Sequence, residues 1–118
     1  MAGCAALAFL LLAAFLWMRA TREPPYAGYP DGTYIGEATG YRKHLKAQVT
    51  LKDGYITAVE IIEHYEKGAD RYAEPMEKIP QAIIRKQSPD VDVVVGSTLT
   101  SNGIMDAVRA ALEQAKPR

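Results

Sequence analysis

Residues 46–62 read KAQVTLKDGYITAVEII. Polar and apolar side chains alternate through Lys46-Ala47-Gln48-Val49-Thr50-Leu51, and the pattern resumes from Ile56 to Ile62 after Lys52-Asp53-Gly54-Tyr55. Period-two alternation describes a strand with one face buried and one face wet. An Asp-Gly pair between two such runs is a strong hairpin signal, because a tight turn needs positive φ at both central residues. The shorter segment Thr33-Tyr34-Ile35-Gly36-Glu37-Ala38 precedes the pair and is also β-like. A meander of three antiparallel strands is therefore expected, and its task is to be a scaffold.

Downstream the period changes. Met76, Ile79 and Ile83 recur at helical spacing, and Pro75 and Pro80 suit first-turn positions, so two proline-punctuated helical pieces are expected. Asp90 to Val95 reads as a short buried strand. The last segment places Ile104, Val108, Ala111 and Leu112 on one face and Asp106, Arg109, Glu113 and Gln114 mostly opposite, which makes it the clearest helix in the chain. The fold class that follows is α+β: a small antiparallel sheet with packed helices.

At 118 residues, with 14 basic residues matched by 14 acidic ones, the chain has room for one small domain and lacks the basic excess of a nucleic-acid binder. Ahead of that domain, Ala2 to Met18 is an uncharged apolar run. As a helix it would measure about 25 Å, slightly less than a bilayer's hydrocarbon core. Trp17 at its end suits a membrane interface. A retained transmembrane or signal-anchor helix is the expectation for residues 1–18. The alternative is a cleaved signal peptide, although no basic region precedes the run and no small-x-small site precedes Arg19. Residues 19–31, rich in Pro, Gly and Tyr from Glu23 on, are expected to form a linker, and residues 32–118 the domain. Arg19 and Arg22 after the run would, by the positive-inside rule, hold that domain in the cytoplasm. Cys4, the single cysteine, excludes an intrachain disulfide and reads as a small apolar residue of the membrane helix.

Between the last strand-like run and the last helix stands Val95-Gly96-Ser97-Thr98-Leu99-Thr100-Ser101-Asn102. A helix start exposes unpaired N–H groups and partial positive charge, and Gly96 would let the backbone bend around an anion. No Gly-Lys-Ser/Thr follows, so this is not a P-loop. From the residues alone two readings stand: a phosphate site, or a turn capped by Thr100 or Ser101. Leu99 and Ile104 line either a pocket or the core. His44, in Tyr41-Arg42-Lys43-His44, reads as part of a solvated basic turn, and two histidines so far apart without spaced carboxylates do not suggest a metal site. No Ser/His/Asp or Cys/His set points to hydrolysis.

The run Gln87-Ser88-Pro89-Asp90-Val91-Asp92-Val93-Val94-Val95-Gly96-Ser97-Thr98-Leu99-Thr100-Ser101 resembles the signature of the FMN-binding domain family, found also in the flavin subunits of sodium-pumping NADH:quinone reductase and related electron-transport complexes. That signature is an Asp, a few residues, Ser/Thr-Gly-Ala-Thr, and then a helix. The likeness extends to Asp31–Gly36 as the opening strand, Val49–Ile62 as the hairpin and His64-Tyr65-Glu66 after it. In this chain Val95 replaces the usual Ser/Thr, Ser97 the usual Ala, and Lys67-Gly68 the family's Thr-Pro-Gly continuation.

The resemblance implies FMN as cofactor, attached to Thr98 through a phosphoester by a flavin transferase, with Asp92 as the upstream aspartate of the recognition motif. It further implies Gly96, Ser97, Leu99, Thr100 and Ser101 around the phosphate, and His64 and Glu66 near the flavin; a strand-end surface pair is the other reading of these two. The function implied is that of a membrane-anchored flavoprotein relaying electrons, as carrier or oxidoreductase subunit. Its partners would be redox proteins or quinone in the membrane. The domain would lie on the outer side of the cytoplasmic membrane, against the arginine count. The alternative from another class is a non-redox module, sensor or interaction domain, that holds FMN or another phosphate ligand without a covalent bond, or holds no flavin.

Overall fold

The computed structural model describes residues 23–117. Its elements run β1 (Gly32–Ala38), β2 (Leu45–Lys52), β3 (Tyr55–Glu63), α1 (Ala69–Lys86) and α2 (Thr98–Ala115). The three strands form one antiparallel sheet in the order β1-β2-β3. Tyr34 pairs with Val49, and Val49 with Val59. At the hairpin tip both Asp53 (φ 53°) and Gly54 (φ 82°) have positive φ, as the Asp-Gly signal requires. The fold is thus α+β, with both helices on the sheet.

Along β2 the alternation becomes burial. Leu45, Ala47, Val49 and Leu51 are buried, while Lys46, Gln48 and Thr50 keep partial exposure on the other face. Onto the buried face packs α2 with Ile104, Ala107, Val108 and Ala111, and α1 adds Ile79 and Ile83 beside β3. Apolar area removed from water at about 25 cal/mol per Å² is the main favourable term in such a core. The approach of α2 to β1 is close enough to exclude side chains. A Cβ on Gly36 would stand 2.0 Å from Ala107 O, and one on Gly103 would stand 2.4 Å from Gly40 Cα.

Past the hairpin the chain is tied by side chains. The Gln87 amide acts as a substitute strand neighbour: it accepts from Ile56 N–H (2.7 Å) and donates to Ile56 O (2.9 Å). Residues 23–31, the described part of the expected linker, lie against the hairpin, with Tyr26 N–H on Gly54 O at 2.9 Å and the Tyr26 and Tyr29 rings edge to face. The buried Glu66 accepts from the backbone N–H of Tyr41 (2.9 Å) and Arg42 (2.8 Å) and from Thr100 Oγ1 (3.1 Å). It therefore fastens the β1–β2 connection to the first turn of α2.

Three expectations are corrected. The two proline-punctuated pieces are one helix, α1, with Pro75 and Pro80 inside it. Proline lacks the N–H that a helix interior uses. At Pro75 the Arg71 carbonyl left without its helical donor receives the Ser97 hydroxyl instead. The expected strand Asp90–Val95 has no strand partner among the described residues. Val94 N–H goes to Ser101 Oγ at 3.1 Å rather than to a sheet edge, Val93 is exposed, and Val95 is 96% exposed. Arg109 holds Asp90 at the start of this segment, and the hydrogen bond from the guanidinium keeps the Asp90 carboxyl below its ordinary pKa. Finally, the last helix begins at Thr98 with Ser97 as its N-cap, so neither Thr100 nor Ser101 caps it. Both hydroxyls are engaged elsewhere, Thr100 on Glu66 and Ser101 on Ser97 O at 2.7 Å.

Among the described residues no helix is long and apolar enough to cross a membrane. The anchor expected at residues 1–18 lies outside the described residues.

Two substitutions test this packing. Gly103→Ala should gain about 1 kcal/mol of helix propensity, yet overpacking against Gly40 costs about 1–3 kcal/mol; denaturant unfolding is expected to show a net loss, and a gain would refute the close approach. Glu66→Gln presents an amide NH₂ to a backbone donor, so stability should fall by about 1–3 kcal/mol, and an unchanged unfolding midpoint would count against the clamp.

Candidate functional site

Two helix N-termini meet at one cavity. It measures ≈ 470 Å³ and is lined by Tyr41, Lys67, Gly68, Arg71, Gly96, Ser97, Thr98, Leu99 and Thr100, a size suited to a small ligand or cofactor. Gly68 is the N-cap of α1 and Ser97 that of α2, and neither helix start carries a side-chain cap. The first bond of α2 runs from Ser101 N–H to Ser97 O (2.9 Å), so the N–H groups of Thr98, Leu99 and Thr100 precede the helical ladder.

The glycines of the cavity are there for conformation. Gly96 has φ 86° and Gly68 φ 81°, and a Cβ on Gly96 would meet nothing within 4 Å, so backbone angle rather than lack of space selects glycine. Gly96 turns the chain from the Val94 segment into α2, with Ser97 N–H closing on Val94 O at 2.9 Å.

The electrostatics favour an anion at α2. Its first turn contains no acidic residue, whereas the first turn of α1 contains Asp70. An uncompensated helix N-terminus attracts negative charge through both its dipole and its open N–H groups. Lys67 and Arg71 add two cations on the same walls, and neither is paired with a carboxylate among the described residues. The donor set therefore suits a phosphate monoester at the α2 start. The exposed faces of Leu99 and Tyr41 give the rest of the cavity an apolar rim for a flat ring.

The residues singled out in the sequence divide into groups. Gly96, Ser97, Thr98, Leu99 and Thr100 share this cavity, with Thr98 exposed at its edge. Ser101 is fully buried behind it, where its hydroxyl bridges Val94 N–H and Ser97 O. Glu66 is also behind the wall, its oxygens occupied by three donors. Asp92 is exposed beyond the Val94–Gly96 turn, in a shallow groove with Glu74 and Lys78. His64 accepts Glu66 N–H at Nδ1 (3.3 Å), meets Tyr72 edge to face, and faces another groove with Val59, Ile61 and Met76. His64 and Asp92 are thus not brought to Thr98.

Four lining residues were not singled out as site residues: Tyr41, Lys67, Gly68 and Arg71. Lys67-Gly68 was visible as a departure from the family's pattern, and a glycine before a helical run is a local signal for a helix start. Nothing local signals Tyr41 or Arg71, because both reach the cavity through tertiary packing.

The comparisons agree with this geometry. The profile of the FMN-binding domain family matches residues 40–113. A protein of Treponema pallidum (strain Nichols), described as uncharacterized, is 40% identical over 88 residues, covering 74% of this chain and 24% of the relative. The NADH:acrylate oxidoreductase of Vibrio harveyi is 31% identical over 88 residues, covering 74% of this chain and 9% of the relative. The chain thus spans about a quarter or less of the length of these relatives. The crystal structure of the CPE2226 protein from Clostridium perfringens shares the fold, with a TM-score of 0.59 and 23% identity over 74% of this chain and 88% of that one. With the profile covering most of the chain, including both walls of the cavity, this protein belongs to the FMN-binding domain family, whose cofactor is FMN.

Proposed function

We propose that this protein is a membrane-anchored flavoprotein that carries FMN on Thr98 and relays electrons within a membrane-associated redox chain. The observation that carries the proposal is the position of Thr98: its hydroxyl belongs to the first residue of α2, exposed at the edge of a cavity that has open N–H groups and two cations. In the attachment step Thr98 Oγ bonds to the phosphorus of a flavin nucleotide donor, the bond from phosphorus to the donor's leaving group breaks, and the hydroxyl proton departs with that group. A flavin transferase supplies this chemistry, with Asp92 on the exposed approach to the turn as part of its recognition motif. The net gain is one FMN minus water.

The flavin, when bound, supplies the electron-accepting and electron-donating ring. The protein's own residues do the holding. Thr98, Leu99 and Thr100 offer N–H groups to the phosphate, Lys67 and Arg71 offset its charge, and Leu99 and Tyr41 shield part of the ring. The likeness to an NADH:acrylate oxidoreductase supports the redox role. Electron donors and acceptors would be membrane proteins or quinone. The apolar run of residues 1–18 would hold the domain at the cytoplasmic membrane, on the outer side that the family resemblance implies.

Intact mass of the full chain, made together with a flavin transferase, tests the attachment. Wild type is expected to gain one FMN minus water, Thr98→Ala none while remaining folded; covalent flavin persisting in that variant would sink the assignment. If the bound flavin fails to cycle reversibly between oxidised and reduced forms, the protein is a binding module rather than a carrier. For the membrane side, protease added to cells stripped of any outer envelope but with the cytoplasmic membrane intact should remove the domain; protection that is lost only on lysis of that membrane would place it in the cytoplasm.

A further inference from the structure

The Ser97 hydroxyl has a partner that an alanine could not serve. That partner is Arg71 O, four residues before Pro75 in α1. In an unbroken helix the N–H at position 75 would bond to this carbonyl, but proline has none. The carbonyl is therefore open toward the neighbouring turn, and Ser97 Oγ–H donates to it. Water could solvate the same oxygen, because Arg71 is exposed. The bond thus matters less for relieving a buried acceptor than for where it holds the chain.

What it holds is the turn next to the reactive hydroxyl. Thr98 follows Ser97 directly, while Gly96 before it has no side chain, and even a Cβ built there would meet nothing within 4 Å. Ser97 N–H bonds Val94 O and Ser97 O receives both Ser101 N–H and Ser101 Oγ–H, but these contacts stay within the turn and α2. The hydroxyl bond to Arg71 is the one that crosses to α1. It also fixes the backbone of Arg71, whose side chain belongs to the same cavity wall.

We infer that Ser97 is a positioning residue for the flavin site, its hydroxyl using the carbonyl left open by Pro75 to lock the Thr98 turn against α1. The inference rests on the Thr98 attachment for its functional consequence, but not for its structural content. Misplacement of a reacting group by an ångström lowers a rate by up to about a hundredfold. With limiting flavin transferase and its flavin nucleotide donor, followed by intact mass on the full chain, Ser97→Ala is expected to acquire FMN about tenfold more slowly. Its melting temperature should remain within about 3 °C of wild type, since water replaces the lost donor. Ser97→Thr keeps the hydroxyl and should recover the rate.

Attachment to Ser97→Ala at the wild-type rate would overturn the inference. So would a rate that falls only in step with a large loss of melting temperature, which describes a merely structural serine. If wild type itself gains no FMN, the Thr98 assignment has failed and amide hydrogen exchange decides the matter. Faster exchange at Gly96, Ser97 and Thr98 in Ser97→Ala, reversed in Ser97→Thr, would support the lock, whereas unchanged exchange would reject it.

Discussion

The carboxylate of Glu66 is where the separate parts of this domain are joined. One oxygen takes Tyr41 N–H and Thr100 Oγ1–H, the other takes Arg42 N–H, and the side chain is buried. A buried polar group is tolerated when it is hydrogen-bonded, and here three donors from two distant segments meet the Glu66 side chain. Because the next residues, Lys67 and Gly68, lead into α1, this carboxylate sets the start of α1 against the start of α2. The cavity between the two helix ends follows from that constraint. Glu66 thus acts on the site from behind its wall, not as a group presented to a ligand.

The close contact of Gly40 with Gly103 makes the clamp possible. A Cβ on Gly103 would push the β1–β2 connection away from α2, and one on Gly40 would stand 2.1 Å from Glu66 Oε1 and displace the carboxylate itself. Gly36 against Ala107 and Ala111 repeats the arrangement one strand earlier. Small residues on β1 and on one side of α2 bring backbone to backbone, leaving the large apolar side chains of β2 and α1 to fill the rest of the core. The helix start is positioned by this packing to within a narrow range, as a site built from backbone N–H groups requires.

Much of the scaffold was legible in the sequence because its signals are local. Asp53-Gly54 between alternating runs specified the hairpin, and the helical spacing of Ile104, Val108 and Ala111 specified α2. Pro75 and Pro80 misled because their cost is usually local too; inside α1 both rings are buried, and the Arg71 carbonyl that Pro75 leaves open takes a hydroxyl from a segment distant in the chain. The three consecutive valines, Val93 to Val95, misled in the opposite direction. Their β propensity did not bring them to either edge of the three-stranded sheet; Val94 N–H is taken by the Ser101 side chain instead. At the site, Gly96 to Thr100 could be picked out from sequence, since helix-start chemistry depends on neighbours in the chain. Tyr41 and Arg71 could not, since their place at the cavity exists only after the clamp has closed.

The shape of the cavity bears on why a covalent link would be useful here. Leu99 is 58% exposed, Tyr41 equally so, and Val95 at the adjoining turn is almost wholly in solvent. Tight non-covalent cofactor sites bury most of their ligand, whereas this rim is open on the side that a redox partner would approach. Openness lets a partner come near the ring, but it removes the burial that would otherwise retain a flavin. A phosphoester at Thr98 would separate the two requirements: the bond would keep the cofactor, and the N–H groups, Lys67 and Arg71 would only have to orient it. Such a helix start would be built for placement of a charged group more than for affinity, which agrees with a wall made of backbone donors and two cations that are unpaired among the described residues, rather than a deep apolar slot.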